Sequence, residues 1–486
     1  MKSCSRLFLA LILLAYASLG VLYAVYTPAW QVPDEPAHYN YIRAITGRAA
    51  LPVMEEGDYD QTYIWRLVEG RFPPDLSIDP LTYEDHQPPL YYLLAAPVYL
   101  LFDGELLPLR LVSVALGVGL LVIAYGLVRT LFPHRPSLPL ATTALIAFLP
   151  QHLAMTAGVN NDTLAEVVVG AVLWVVIRMT DDKAQNSGFG LWALGFLVGL
   201  AMLTKTTAYV VLPVALVAVG LRARRERQPP GWAAAQASRV LLVAALLVGP
   251  WLARNVAVYG WADPLGLACH NGVVAGQPRT AEWLAQYGWA GLVGRLFRTT
   301  FQSFWGQFGW MTVPLHPPLY LALALFSALS LVGLLGWSLD RRRPRLAPSQ
   351  VDGLVLLAVS TLLTLASYLW YNLTFVQHQG RYLFPALIPL ALGAALGLEW
   401  LLSPRVARRA AGGLGGVAVL LVLWGLVRRD LPLVPLGAAL GLAGLFGLAA
   451  LWSHWGRWLA LAALAAGWVA LDLYALFGAI VPTLAR

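Results

Sequence analysis

Two adjacent carboxylates, Asp34 and Glu35, and a histidine, His38, stand in the decapeptide QVPDEPAHYN, residues 31–40. The decapeptide follows, after four intervening residues, LFLALILLAYASLGVLYAVY, an apolar run long enough to cross a bilayer. A carboxylate so placed suits a general base that takes a proton from an acceptor hydroxyl. It equally suits a helix start, since acids and a proline in a first turn favour the helix dipole. Asp162, in GVNNDT, carries the same two readings: a second functional acid, or the N-cap of the apolar run after it. Four cations, Arg110, Lys205, Arg254 and Arg381, each stand where an apolar run meets a polar loop. Such residues often only snorkel to the membrane surface. Gathered on one face with the acids, they instead fit an anionic ligand, arginine reading phosphate in a bidentate way and lysine as a point charge. A leaving phosphate is already a weak base, so cations suffice to stabilise it. His86, His378 and Tyr382 lie in the same loops and join the candidate substrate- and phosphate-binding set. Asp34 and Asp162, with Glu35, His38 and His86 as further donors, are candidates for a divalent metal ion, although no spacing here is diagnostic. Hydrogen-bonding histidines in a polar loop are the better reading, and no other cofactor is implied.

The elements that hold these residues follow from composition. The 486 residues are 59% hydrophobic and only 12% charged, against about 25% charged in soluble chains. Mean hydropathy is +0.66. Apolar runs recur from end to end, which predicts an all-α polytopic membrane protein without a separate soluble domain. The pI near 9.5 then reports topology and anionic head groups rather than nucleic acid. Two distant cysteines, Cys4 and Cys269, predict no disulfide framework. The first run is too long for a signal h-region and lacks a small-residue cleavage site, so it reads as a retained helix.

Thirteen spans are expected, beginning near Leu7, Leu111, Leu138, Thr163, Phe189, Ala208, Val240, Leu319, Val351, Tyr382, Gly413, Leu433 and Trp458. The segment PPLYYLLAAPVYLLF, residues 88–102, decides the orientation. If it does not cross, Arg129, Arg135, Lys183, LRARRERQ, DRRRPR, SPRVARR and Arg457 all fall on one inner side. It is therefore expected to lie on the outer leaflet, with the N-terminus inside. The first outer loop, 27–109, holds thirteen of the 25 acidic residues against four arginines. A second, Trp- and Gly-rich loop runs over 254–318, and a short one, NLTFVQHQGR, over 372–381. No internal repeat is visible, which argues against an inverted-repeat transporter.

The acid pair after the first helix, HQPPLYYLL, LRLVSVALG, the NND helix end and LTKTT together resemble the GT-C superfamily of lipid-phosphate-sugar glycosyltransferases. In pattern they are most similar to the protein O-mannosyltransferases and the lipid A aminoarabinose transferase. PWLARNVAVYG and QGRYLFPALIPLAL look like segments of a bacterial branch of the same superfamily. The resemblance covers residues 1–390 loosely. It implies a GT-C-like catalytic transmembrane module over 1–400 and C-terminal transmembrane helices over 401–486. It also implies Asp34 as the catalytic acid, Glu35 as its neighbour, Asp162 as a second essential acid, Arg110 as an important arginine, and Lys205 and Arg381 near the lipid phosphate. Many relatives carry a lysine before the PPL motif where this chain has His86-Gln87-Pro88-Pro89. The expected function is inverting transfer of a sugar from a polyprenyl-phosphate donor to a hydroxyl or amine of a lipid, glycan or protein acceptor, on the outer face of a bacterial plasma membrane. The rival is a transporter or flippase of a lipid-linked or anionic substrate, for which Glu166, Glu399 and Asp472 lie near apolar segments.

Overall fold

A computed structural model describes residues 2–48, 50–180, 189–274, 276–429, 431, 433–451 and 455–485. Lys183, expected on the inner face, lies outside them. Among the described residues nine helices are long and apolar enough to cross a bilayer: Ser5–Tyr26, Leu106–Leu131, Thr206–Arg225, Pro230–Tyr259, Pro317–Leu339, Pro348–Tyr371, Gly380–Leu401, Pro404–Arg428 and Trp458–Leu484. A tenth span results if Ser137–Ala147 and Pro150–Thr156, bent by 66° where Pro150 interrupts the run, count as one. Length and composition thus support nine or ten spans among the described residues, and do not by themselves reach the expected thirteen. Of the remaining three runs, Asp162–Met179 carries Asp162, Glu166 and Arg178 along its length, Phe189–Met202 has only 14 residues, and Pro435–Leu451 is similarly short. The helix Leu90–Leu101 has 12 residues. That is about 18 Å of helix against a hydrocarbon core of about 30 Å, too short to span.

The chain forms two compact units. One comprises residues 321–345 and 391–471. Its core gathers Leu401, Leu402, Ala407, Phe446, Ala449 and Ala460, and Trp400 Nε1 donates to Asp340 Oδ2 at 3.2 Å. The other unit, residues 1–320, 346–390 and 472–486, holds every candidate site residue.

In that unit the loops 27–109, 254–318 and 372–381 fold onto one another. Ala37, Met54, Ile64, Leu67, Leu81 and Tyr83 of the first loop share a buried cluster with Val274 of the second and Phe375 of the third. The helix Gln61–Glu69 starts where Asp60 Oδ1 accepts from Thr62 N and Tyr63 N at 2.8 and 3.1 Å, an N-cap of the expected kind. The helix Glu35–Arg48 rests on Leu90–Leu101 through the stacked rings of Tyr41 and Tyr92, 3.6 Å apart. Asn40 Nδ2 donates to the carbonyls of Ile78 and Leu81 at 2.7 and 2.9 Å, so the segment that leads to the PPL motif is laid alongside the acid pair. A two-stranded ribbon, Gln307–Phe308 against Val313–Pro314, follows the long helix Thr280–Trp305. That helix meets the segment Gly380–Ala386 at Gly380, whose N–H donates to Ser303 Oγ at 2.8 Å. A Cβ at residue 380 would lie 2.3 Å from Phe304 N, so glycine there is what lets Arg381 approach.

Candidate active site

Leaving the first helix, the chain turns sharply: Trp30 and Asp34 adopt left-handed conformations, φ 67° and 66°. Strained backbone of this kind concentrates at functional sites, and Asp is among the residues that tolerate it. The turn sends the two acids to different partners. Asp34 faces a cavity of about 400 Å³. Glu35 is fully buried against Arg110, which donates from Nε to Oε1 at 2.8 Å and from Nη2 to Oε2 at 2.6 Å. The backbone N–H groups of Trp30 and Val159 complete the carboxylate at 3.0 and 3.2 Å. Arg110 also donates to the carbonyls of Ala24, Thr27 and Pro28 at 2.9, 2.7 and 3.1 Å. This buried fork pins the turn and leaves neither residue a free edge for substrate. The expectation of Arg110 as a phosphate contact is corrected accordingly.

Asp34 takes a hydrogen bond from the Tyr83 hydroxyl at 2.8 Å on Oδ1 and an ion pair from Arg381 Nη2 on Oδ2. Burial alone would raise its carboxyl. The Arg381 guanidinium, aided by the hydrogen bonds, holds it below the usual carboxylate range. A carboxylate accepts about four hydrogen bonds, so each oxygen keeps room for a substrate hydroxyl. Arg381 keeps a donor too, because its Nε is buried and without a partner.

Asp162 opens the helix Asp162–Met179, but Asn160 does the capping: its Oδ1 accepts from the N–H of Asp162 at 3.1 Å. The Asp162 carboxylate is thus released to meet Lys205 Nζ at 2.7 Å, while Asn161 Oδ1 takes a second bond from the same ammonium at 2.8 Å. The two ion pairs are neighbours. Arg381 acts electrostatically on Asp162, and His38 feels Lys205, Asp34, Asp162 and Arg381 together. Burial first, then the Lys205 charge, push His38 down to about 3. It stays neutral and shares a hydrogen bond with the Tyr92 hydroxyl at 2.9 Å.

The remaining candidates divide. His378 and Tyr382 line the cavity with Asp34 and Arg381, whereas Lys205 and Asp162 are not among its lining residues. Arg254 is elsewhere: it donates to the carbonyls of Leu51 and Pro52 and lies over the rings of Trp251 and Tyr259. It fastens the first loop to the helix Pro230–Tyr259, which corrects the expectation that it shares a ligand with Lys205 and Arg381. His86 is buried, with its ring centroid 4.5 Å from that of His270, and burial keeps it neutral. It is His270 that lines the cavity, so His86 is likewise corrected to a supporting place. Asp34 and Asp162, the acids considered for a metal, each already hold a cationic side chain. Among the described residues no group of three or more His, Cys, Asp or Glu is placed to hold a metal ion.

Residues 86–253 match the family described as dolichyl-phosphate-mannose-protein mannosyltransferase. Among solved structures the chain is similar to ArnT from Cupriavidus metallidurans bound to undecaprenyl phosphate, with a TM-score of 0.54 and 16% identity over 98% of this chain and 77% of that one. The apo state of the same ArnT gives a TM-score of 0.53, again at 16% identity, 98% and 77% coverage. This is a GT-C fold. No curated protein sequence gives a significant match.

Three residues of this cavity were not singled out from the sequence. Tyr83 and Glu84 are separated from the HQPPL motif only by Asp85, and the signal was their nearness to it. Arg295 lines the cavity from the helix Thr280–Trp305, with its guanidinium 4.5 Å from the centre of the Trp283 ring. Among the described residues no carboxylate pairs with it. Beside it stands His378, buried, with Nδ1 lacking a partner. Burial, then the Arg295 charge, push that imidazole down to about 4.

Proposed function

We propose that the protein is an inverting glycosyltransferase that moves a sugar from a polyprenyl-phosphate donor to an acceptor hydroxyl on the outer face of a bacterial plasma membrane. One observation carries this reading: an ionised carboxylate, Asp34, stands at the wall of a cavity whose cations are Arg381 and Arg295, in a fold similar to one solved with undecaprenyl phosphate. Asp34 accepts the proton of the attacking hydroxyl. The hydroxyl oxygen bonds to the anomeric carbon as the bond to the phosphate oxygen breaks, and no covalent enzyme intermediate is needed. Arg381, through its unused Nε, and Arg295 take up the phosphate charge, while Lys205 and Asp162 hold the potential behind Arg381. The uncompensated cation, Arg295, takes the phosphate-binding place first expected of Arg254 and Arg110.

Purified protein given polyprenyl-phosphate-linked radiolabelled sugars and mixed lipid, glycan and peptide acceptors should release polyprenyl phosphate and label an acceptor. Replacing Arg295 by Gln should weaken donor binding about tenfold, as loss of one charge-assisted contact would. The rival reading, a transporter or flippase, draws on the buried His152–Glu166 pair, 2.9 Å apart, and on the buried Asp472, neither of whose carboxylate oxygens has a hydrogen-bond partner. In the same assay it would move intact lipid across the bilayer without forming a glycosidic bond.

The orientation has its own test. In a cysteine-free background, cysteines replacing Glu56 and Gln277 should react with an impermeant thiol reagent added to intact cells. One replacing Arg342 should not, and labelling there would overturn the outer placement of the site.

A further inference from the structure

We propose that Glu84 donates a hydrogen bond from its carboxyl group to an uncharged, hydroxyl-bearing ligand bound beside Asp34, and that the cavity thereby selects neutral sugars over cationic ones. Glu84 follows Tyr83, the residue that holds Asp34, and lines the same cavity. Its Oε2 is closed off from solvent and has no hydrogen-bond partner. The groups that face it are Asp34 of the turn, Lys205, Arg381 and Tyr382 of the Gly380–Ala386 segment, Tyr92 of Leu90–Leu101 and Tyr371 at the end of Pro348–Tyr371. Both cations in that set are engaged, Lys205 with Asp162 and Arg381 with Asp34. Neither is free to neutralise a second carboxylate, and the side chain that bonds the Glu84 carboxyl, Gln87, is uncharged.

An acid in that position keeps its proton. Burial, and then the nearby Asp34 charge, push Glu84 up to about 8. A protonated carboxyl is a donor as well as an acceptor, and a buried donor without a partner is a vacancy for a ligand oxygen. Its surroundings define the ligand. Gln61, Gln277, Gln307 and Gln379 offer amides, and Tyr59 and Trp310 offer ring faces. Amides and aromatic faces suit a polyhydroxylated ring. A ligand ammonium would meet Arg295 and Arg381, and would have to compete with Arg381 for the Asp34 carboxylate or strip Glu84 of its proton. This rests on the glycosyltransferase reading only for the role of the bound group.

The test reads Glu84 directly. Infrared difference spectra of the full chain in nanodiscs should show, at neutral pH, a protonated-carboxyl band that is absent in Glu84→Gln and fades as pH rises through about 8. Octyl glucoside should shift that band, and its cationic counterpart, octyl glucosaminide, should not. Octyl glucoside binding, followed by tryptophan quenching, should weaken about tenfold in Glu84→Ala and less in Glu84→Gln, whose amide still donates. The proposal is overturned if no Glu84-dependent band exists at neutral pH, or if octyl glucoside leaves the band in place. A shifted band in a protein that transfers no sugar would overturn the glycosyltransferase reading and leave this one standing.

Discussion

Asp34→Asn should lower turnover by a factor of roughly 10² to 10⁴, the range expected for removal of a positioned general base. The substitution isolates charge from shape. Asn matches Asp in size, tolerates the left-handed backbone at this position, and can still accept from the Tyr83 hydroxyl. It cannot take a proton. It also releases Arg381 from its counter-ion, so polyprenyl phosphate should bind the mutant at least as tightly as it binds the native chain. Single-turnover transfer and equilibrium binding of undecaprenyl phosphate, measured on the same preparation, separate the two effects. Near-normal transfer by Asp34→Asn would end the mechanism. Loss of binding together with transfer would show that the mutation had damaged the cavity rather than the base.

The second large effect concerns folding. Arg110→Met should destabilise the protein by about 3–5 kcal/mol, because it strands the Glu35 carboxylate in a buried site. Arg110 is 3% exposed and Glu35 0%. The mutation removes both arms of the fork and leaves the carbonyls of Ala24, Thr27 and Pro28 without their donor. Pairing it with Glu35→Gln should recover much of the loss, since a neutral amide tolerates the site better than an unpaired charge. Thermal unfolding in detergent, followed by a fluorescence probe, measures each variant. A single mutant as stable as the native chain would show that the pair is dispensable. Glu35 and Asp34 are therefore expected to fail in different ways when mutated, one through stability and the other through turnover, although they are neighbours in the sequence.

Much of the candidate site was legible because it interrupts a pattern. Asp34, Asp162, Lys205 and Arg381 are ionisable residues at the ends of apolar runs, and the fold gathers all four. Depth in the membrane can be read from such positions, but direction cannot. Arg110 and Arg381 look alike in the sequence, yet one is enclosed by carbonyls and Glu35 and the other is half-used at a cavity wall. Arg254 was indistinguishable from either until its contacts with the first loop were seen. Glu84 was hidden among the thirteen acids of one loop. Its significance depends on the folding of residues 78–92 beside the helix Glu35–Arg48, a non-local arrangement that no local periodicity encodes. Arg295 was overlooked for a similar reason: on the helix Thr280–Trp305 it is one of two arginines, with Arg298, among aromatic residues. Of the thirteen apolar runs, Phe189–Met202 is short and Asp162–Met179 carries three charged residues, features that hydropathy alone does not weigh.

The left-handed turn at Asp34 also bears on how this site could evolve. Interchange of Asp and Glu is the cheapest mutational step available to most catalytic acids, because it keeps the charge and moves it by one methylene. Here that step is obstructed. The backbone at φ 66° accepts Asp, Asn or Gly far more readily than Glu, and a longer side chain would drive the carboxylate past Tyr83 and Arg381. The acid is in effect a fixed point with a very small alphabet. A lineage that retunes its basicity or its reach must do so through the neighbours, by changing the phenol or the guanidinium that hold it. Substrate range in such a lineage would diversify at Glu84, Arg295 and the glutamines, while residue 34 stayed the same.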